Sequence, residues 1–346
     1  MPHLALDIGG ANLKGADGRG WTSARPFALW KAPLLLREEV ASLLAGAPPH
    51  DAVAVTMTGE LADCFRTKAE GVEAIAGAVA AAASRPVEFY GVDGNFHALA
   101  AAISQPLTVA ASNWHALATF ACRFILPGDG VLIDIGSTTT DVIPLGSAGP
   151  ATGSRTDPDR LTAGELVYTG VERTAACALV GAIAYRGASC PVAAEFFATT
   201  LDAYLTLGAL PEEPLNCDTA DGRPRTRACA RDRLARLVCA DRTLFTDEDT
   251  AAAASAIQDA QIAKISVAVE QVIARMRRAP SVVVLSGQGE FLGRRVASRV
   301  RWGAEPPRVV SLEAALGSAV SRCAPAHALA VLAAERAGPA KIPPVC

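Results

Sequence analysis

Apolar residues in this chain fall into two kinds of run. Short continuous ones read as buried strands: His3-Leu4-Ala5-Leu6 and Gly130-Val131-Leu132-Ile133 each lead directly into Asp-Ile-Gly. Longer alanine-rich ones, such as Ala78–Ala83 and Ala251–Ala254, read as helix. The pattern predicts strands at 3–8, 12–16 and 21–29, a helix at 34–46, a strand at 51–58, a helix at 67–84 and a strand at 86–92. A helix over 112–124, with Ser112 as its cap, leads to a second unit that opens at Gly130, and Asp141-Val142-Ile143-Pro144-Leu145 is the outgoing strand of a hairpin. Beyond it come a mostly helical stretch at about 175–250, a long helix at 250–278, a strand at 282–286 and closing helices near 312–322 and 325–336. Pro325 suits a first helical turn, and Cys217–Thr226, with Gly222 and Pro224, reads as a polar loop.

The two Asp-Ile-Gly segments share one design, Asp7-Ile8-Gly9-Gly10-Ala11-Asn12-Leu13-Lys14 and Asp134-Ile135-Gly136-Ser137-Thr138-Thr139-Thr140-Asp141. A buried strand does not tolerate a carboxylate without a use for it, so Asp7 and Asp134 are not ordinary core residues. Glycine has no Cβ, so Gly9, Gly10 and Gly136 let backbone N–H groups approach phosphate oxygens closely. A carboxylate beside a phosphate repels it. Asp7 and Asp134 therefore suit holding Mg²⁺, directly or through water, or orienting a nucleophile. Asn12 adds a donor, Lys14 a catalytic cation, Ser137, Thr138 and Thr139 hydroxyls and amides, and Asp141 completes the second turn. Two such turns a domain apart predict two lobes closing on a polyphosphate. The plain alternative is a pair of hairpins whose Asp and Gly serve only the turns.

The paired loops resemble the phosphate motifs of the actin, sugar-kinase and heat-shock-chaperone ATPase superfamily. A third element is similar: Pro280-Ser281-Val282-Val283-Val284-Leu285-Ser286-Gly287-Gln288-Gly289-Glu290 is an apolar strand running into a glycine turn, where that superfamily places its nucleotide-side glycines. Here it reads Ser-Gly-Gln-Gly, so Ser286, Gly287 and Gln288 are candidate substrate or nucleotide contacts. The resemblance implies an α/β fold of two ribonuclease-H-like lobes, an actin-like ATPase fold with an interlobe cleft. The first lobe is expected at 1–125 and the second at 126–346, the latter with a helical insertion at about 175–250.

Within the superfamily the chain resembles the hydantoinase A and oxoprolinase group. More narrowly, it resembles short proteins linked to tetrahydromethanopterin-dependent C1 transfer and methanofuran-type cofactor biosynthesis. Gly164-Glu165-Leu166-Val167-Tyr168-Thr169-Gly170-Val171-Glu172-Arg173-Thr174, Asp218-Thr219-Ala220-Asp221-Gly222-Arg223-Pro224 and Ser112-Asn113-Trp114-His115 carry this likeness. It implies a transferase that joins a tyramine-derived phenol to an aminomethylfuran diphosphate and releases pyrophosphate. The alternative is an ATP-dependent hydrolase or small-molecule kinase, with ATP beside Mg²⁺ in the cleft. Sugar kinases carry a catalytic Asp near the interlobe crossover. Ser112–His115 has no carboxylate, which leaves Asp93 as a substitute.

With 346 residues, 51% hydrophobic and 19% charged, the chain has enough apolar material for two folded lobes. A net charge of −3 leaves no footprint for nucleic acid or an anionic membrane, and no run approaches a membrane span. The first strand starts at residue 3, leaving no room for a signal peptide, and the nine cysteines form no Cys-x-x-Cys pair. Both point to a cytoplasmic protein with reduced thiols and against zinc, although Cys217, Cys229 and Cys239 could be grouped for it. The expected partner is a small-molecule diphosphate or nucleotide, and a homodimer stays open. Arg173 reads equally as an anion-binding group or as half of a surface ion pair with Glu172 or Glu165. Asp93-Gly94-Asn95 reads as a turn more readily than a site, and Arg223, Arg225 and Arg227 as a solvated cluster more readily than a phosphate clamp.

Overall fold

The computed structural model describes residues 2–303 and 305–338. Its first sheet contains β1 (His3–Ile8), β2 (Asn12–Ala16), β3 (Thr22–Pro26), β4 (Ala52–Met57), β5 (Val87–Tyr90) and β6 (Phe96–His97), in the order β3-β2-β1-β4-β5-β6. Strands β1, β2 and β3 pair antiparallel, whereas β4 and β5 join β1 in parallel. The second sheet repeats the plan. Strand β7 (Gly130–Ile135) pairs antiparallel with β8 (Thr140–Gly146) and parallel with β13 (Val282–Ser286); β10 (Leu166–Val167) and β14 (Arg308–Ser311) complete the order β10-β8-β7-β13-β14. A short β9 (Gly149–Pro150) flanks β8, and β11 (Ala182–Tyr185) and β12 (Ala188–Pro191) form a separate hairpin. Two sheets with one strand order and one pattern of parallel and antiparallel pairs make this a duplicated ribonuclease-H-like α/β fold.

Strand alternation decides where the two aspartates go. Leu4, Leu6 and Ile8 pack on helices Leu36–Ala45 and Lys68–Ala82, while Ala5 packs on Ala116, Leu329, Ala330 and Ala333. Likewise Val131, Ile133 and Ile135 pack against helices Asp247–Ile273 and Glu290–Arg299, while Leu132 packs with Trp114, Leu117, Ala328 and Val331. Side chains two apart share a face, so Asp7 falls on the face of Ala5, and Asp134 on the face of Leu132. Helices Asn113–Ala121 and Ala324–Arg336 cover both faces. Alanines at their contacts let these helices fit between the sheets, and the last helix thus returns to the first sheet.

Several boundaries differ from the sequence pattern. The closing helix near 312–322 is two short helices, Leu312–Leu316 and Ser318–Arg322, broken at Gly317 with φ of +91°. The stretch expected to be mostly helical holds the β11–β12 hairpin and two helices, Thr200–Thr206 and Arg227–Arg236, with residues 207–226 irregular. The Ser112 side chain caps nothing. Its hydroxyl bonds Thr56 at 2.7 Å, and Asn113 Oδ1 accepts from the Trp114 amide instead. Cys346 lies outside the described residues, and the other eight cysteines are free thiols. Among the described residues no helix is long and apolar enough to cross a membrane.

Candidate active site

The two Asp-Ile-Gly turns close identically. Gly9 N donates to the Asn12 carbonyl at 2.9 Å, and Gly136 N donates to the Thr139 carbonyl at 2.9 Å. Behind each turn the strand registers match: Asp7 lies opposite Lys14 on β2 and Thr56 on β4, Asp134 opposite Asp141 on β8 and Ser286 on β13. The second turn is braced by the segment after β10. Val171 N donates to the Gly136 carbonyl at 3.0 Å, and Glu172 N and Arg173 N to that of Ser137 at 3.0 Å. These bonds occupy the Gly136, Ser137 and Thr139 carbonyls and the Gly136 amide, none of them using the hydroxyls of Ser137, Thr138 and Thr139. Gly170 underlies the turn so closely that a Cβ there would meet Gly136, Ser137 and Thr138 backbone atoms at 2.5 Å.

Burial dominates the electrostatics. It pushes the Asp7 carboxyl up to about 6 against the pull of Lys14. Burial, then the charge of Asp141, pushes Asp134 up to about 7, with the Ser286 hydroxyl and Lys14 opposing. The Oδ1 atoms of both aspartates are buried without a hydrogen-bond partner. Asp141 differs. Its carboxylate takes Arg160 Nη2 at 2.5 Å, and Arg160 lies 4.4 Å over the Trp114 ring and 3.5 Å from Asp157, which Lys68 holds at 2.6 Å. Asp141, expected on the phosphate, therefore faces an arginine behind the site. Glu60, 3.6 Å from Lys68 and buried, is pushed up to about 7 at the far end of this chain of charges.

A cavity of about 290 Å³ opens between the lobes in front of the aspartates. Of the expected residues, Asn12, Lys14, Asp134, Gly136, Ser137, Arg173, Gly287 and Gln288 line it; Asp7, Gly9, Gly10, Thr138, Thr139, Asp141 and Ser286 do not. Gly287 has φ of +86°, and a Cβ there would meet the Ile135 carbonyl at 2.4 Å and Asp134 Oδ1 at 2.8 Å, so only glycine fits. Arg173 pairs with neither Glu172 nor Glu165: its guanidinium lies 4.7 Å over Trp30 and 3.9 Å from Asp218. Glu172 instead accepts from Gln288 at 3.0 Å and pairs with Arg225 at 3.2 Å. Arg225 is thus the one arginine of its loop on the cavity wall. Glu213 and Arg322 also line it and carried no sequence signal, being brought in from the irregular stretch and from the broken C-terminal helix pair. Among the described residues, Lys14 and Arg322 have no carboxylate within 4.0 Å.

The other candidates are structural. Asp93 accepts from Asn95 N at 3.1 Å, Asn95 Nδ2 at 3.0 Å and His97 Nε2 at 3.1 Å, a turn away from the cavity lining. His115 is buried beside the Tyr90 hydroxyl at 3.0 Å, and burial pushes its imidazole down to about 4.

Residues 51–327 match the family model described as hydantoinase/oxoprolinase. The chain belongs to the hydantoinase/oxoprolinase family. The match spans the second hairpin and the crossing helix Asn113–Ala121, reaches only the first turn of Ala324–Arg336, and leaves the first hairpin outside. One relative of this family member is the (4-{4-[2-(gamma-L-glutamylamino)ethyl]phenoxymethyl}furan-2-yl)methanamine synthase of Methanocaldococcus jannaschii, 35% identical over 95% of this chain and 96% of that one. The synthase of the same name from Methanococcus vannielii is 29% identical over 58% of this chain and 89% of that one. Among solved structures, the activator of the 2-hydroxyisocaproyl-CoA dehydratase from Clostridium difficile with bound ADPNP covers 99% of this chain and 100% of its own, at 12% identity and a TM-score of 0.44.

Two orphaned, buried carboxylate oxygens in front of a polar cavity fit a divalent cation, whose charge would return both groups to their ionised form. Lys14 and Arg322 line the same space, where their charges suit an anionic ligand.

Proposed function

We propose that this hydantoinase/oxoprolinase family protein is a synthase that forms an aryl ether between a phenol and the methylene carbon of an aminomethylfuran diphosphate. The phenol oxygen forms the new C–O bond, the bond from that carbon to the diphosphate oxygen breaks, and the pyrophosphate leaves with the electron pair. The phenol's proton passes to solvent. The observation that carries this reading is the pair of orphaned carboxylates, Asp7 and Asp134, behind a cavity with two uncommitted cations, in a chain so similar along its length to a phenoxymethylfuran methanamine synthase.

Asn12, Lys14, Ser137, Arg322 and the turn amides bind and orient the diphosphate, so that catalysis is chiefly positioning and charge stabilisation. Mg²⁺ bound at Asp7 and Asp134 would neutralise charge accumulating on the leaving group. Thr138, Thr139 and Gly10 shape the turns around the phosphates rather than line the cavity. The other reading is an ATP-dependent hydrolase or kinase, favoured by the Gly287-Gln288-Gly289 turn at the cavity, where a nucleotide would meet the second lobe.

Calorimetric titration with Mg-pyrophosphate and separately with Mg-ATP, together with an assay for ether and pyrophosphate formation, tests this. Pyrophosphate binding with ether formation is expected. Tight ATP binding, weak pyrophosphate binding and no ether would overturn the synthase in favour of the ATP-using enzyme.

A further inference from the structure

We infer that Glu290 is a positioning residue of the cleft: through Ser321 its carboxylate sets the place of Arg322, the cation that meets the oxygens of a bound diphosphate. This rests on the diphosphate reading above and adds to it a residue outside the cavity lining.

Glu290 is buried, follows directly on the Gly287-Gln288-Gly289 turn and opens helix Glu290–Arg299. Its Oε1 accepts from Glu313 N at 2.7 Å and from Ser321 Oγ at 2.9 Å, and its Oε2 accepts from Ser311 Oγ. A buried carboxylate is costly unless donors satisfy it, and these donors all come from one segment, 311–321. Two of them have a local use. Ser311 Oγ accepts from Ala314 N at 3.0 Å, so the Ser311 and Glu313 bonds fix the first turn of helix Leu312–Leu316. The third bond reaches past Gly317, whose φ of +91° ends that helix, to Ser321 on the next one, Ser318–Arg322. Because the chain breaks at Gly317, the second helix does not inherit its direction from the first. The Glu290–Ser321 bond supplies it.

That second helix carries Arg322, which lines the cavity and has no carboxylate within 4.0 Å among the described residues. With no ion pair to hold the guanidinium before a ligand arrives, its place depends on the backbone it springs from. A fixed backbone lowers the entropy lost when the side chain is ordered on binding. At its other end the tie is referred to the aspartate. Gly289 N donates to the Ile135 carbonyl at 3.0 Å, and a Cβ on Gly287 would stand 2.8 Å from Asp134 Oδ1. Glu290 thus joins the turn packed on Asp134 to the helix that presents Arg322, and keeps the carboxylate and the cation of the site in one frame. Beyond Arg322, Cys323 Sγ donates to the Ser23 carbonyl of β3 at 3.6 Å, which places this helix at the seam between the lobes.

A double-mutant cycle tests the role. Calorimetry with Mg-pyrophosphate, and separately with Mg-ATP, compares wild type, Ser321→Ala, Arg322→Gln and the double variant. Ser311→Ala, which also removes a hydrogen bond from Glu290, is the control. Arg322→Gln should weaken pyrophosphate binding about tenfold or more, and Ser321→Ala about threefold or more. In the Arg322→Gln background Ser321→Ala should change nothing further, since Glu290 reaches the ligand only through Arg322. Ser311→Ala should lower the thermal midpoint at least as far as Ser321→Ala, because a helix cap is lost too, yet leave pyrophosphate affinity within about twofold. Ser321 itself lines the cavity, and additive losses would assign it a direct ligand contact and overturn the proposal. Equal weakening by both serine variants, unchanged binding in Ser321→Ala or Arg322→Gln, or binding of neither ligand to wild type also overturns it. If ATP alone binds and shows the same non-additivity, Glu290 keeps its role and the synthase reading falls.

Discussion

Lys14 and Asp141 occupy the same place in the two hairpins, each directly across from the aspartate that precedes Ile-Gly. The exchange of a cation for an anion at this place divides the labour between the lobes. Lys14 faces the cavity, where it lowers the cost of ionising Asp7. Asp141 raises the cost of ionising Asp134 and is itself held by Arg160.

Asp7→Asn and Asp134→Asn should each reduce Mg²⁺-dependent kcat by about 100-fold or more, the size of losing a main charge-stabilising group. Because both carboxylates are buried without partners for Oδ1, the amides should leave the metal-free protein as stable as wild type or more so. Steady-state kinetics alongside thermal unfolding checks both halves; full activity in both variants would remove the metal-clamp role.

Stability should fall as pH rises. Asp134 titrates near 3.8 when unfolded and about 7 when folded, and Asp7 is raised in the same direction to about 6. The folded state therefore holds protons that the unfolded state has released. Their stabilisation is complete below about pH 4 and lost as pH passes through 7. Glu60, also raised to about 7, adds to the slope. Unfolding at a series of pH values should show the slope lessened in Asp134→Asn and by saturating Mg²⁺. A slope of the opposite sign would contradict these assignments.

Arg160→Ala should destabilise the fold by about 3–5 kcal/mol, because it strands a buried carboxylate. Arg160 is itself buried, holds Asp141 at 2.5 Å and covers Trp114. Arg160→Met combined with Asp141→Leu should recover most of the loss in a denaturant titration, as removal of both charges leaves neither unpaired.

Gly287→Ala should cost about 1–2 kcal/mol from its left-handed backbone alone, plus the collision with the Ile135 carbonyl. Gly10→Ala should stay within about 0.5 kcal/mol, since a Cβ there meets nothing within 4 Å. Measured side by side, equal losses would refute the close-approach account of Gly287.

Much of the site was legible because it is local. Asp7 to Lys14 and Asp134 to Asp141 are each one hairpin, so strand period and glycine placement specify both the turn and the face of every side chain within it. The helix Glu290–Arg299 was not legible: Gly293 weakens its helical signal, and the close approach that favours glycine there, where a Cβ would meet Leu285 Cδ2 at 3.2 Å, is tertiary. Residues 207–216, inside the stretch expected to be mostly helical, are irregular, whereas Cys217–Thr226 is the polar loop that Gly222 and Pro224 indicated. That loop is held by ion pairs to distant side chains, Asp221 to Arg233 at 3.0 Å and Arg223 to Asp232 at 2.8 Å, and such bonds leave no periodicity behind.

Chain order alone thus carried the duplicated α/β plan, the two glycine turns and the aspartates behind them, because strand alternation and backbone conformation act over a few residues. Folding in three dimensions decided which groups share the cavity. It turned Asp141 toward Arg160, freed Arg173 from its sequence neighbours, and delivered Asp218 from the irregular stretch 207–226 and Arg322 from the broken C-terminal helix pair. Charges pair by distance through space, and the packing of the two sheets on their shared alanine-rich helices sets those distances.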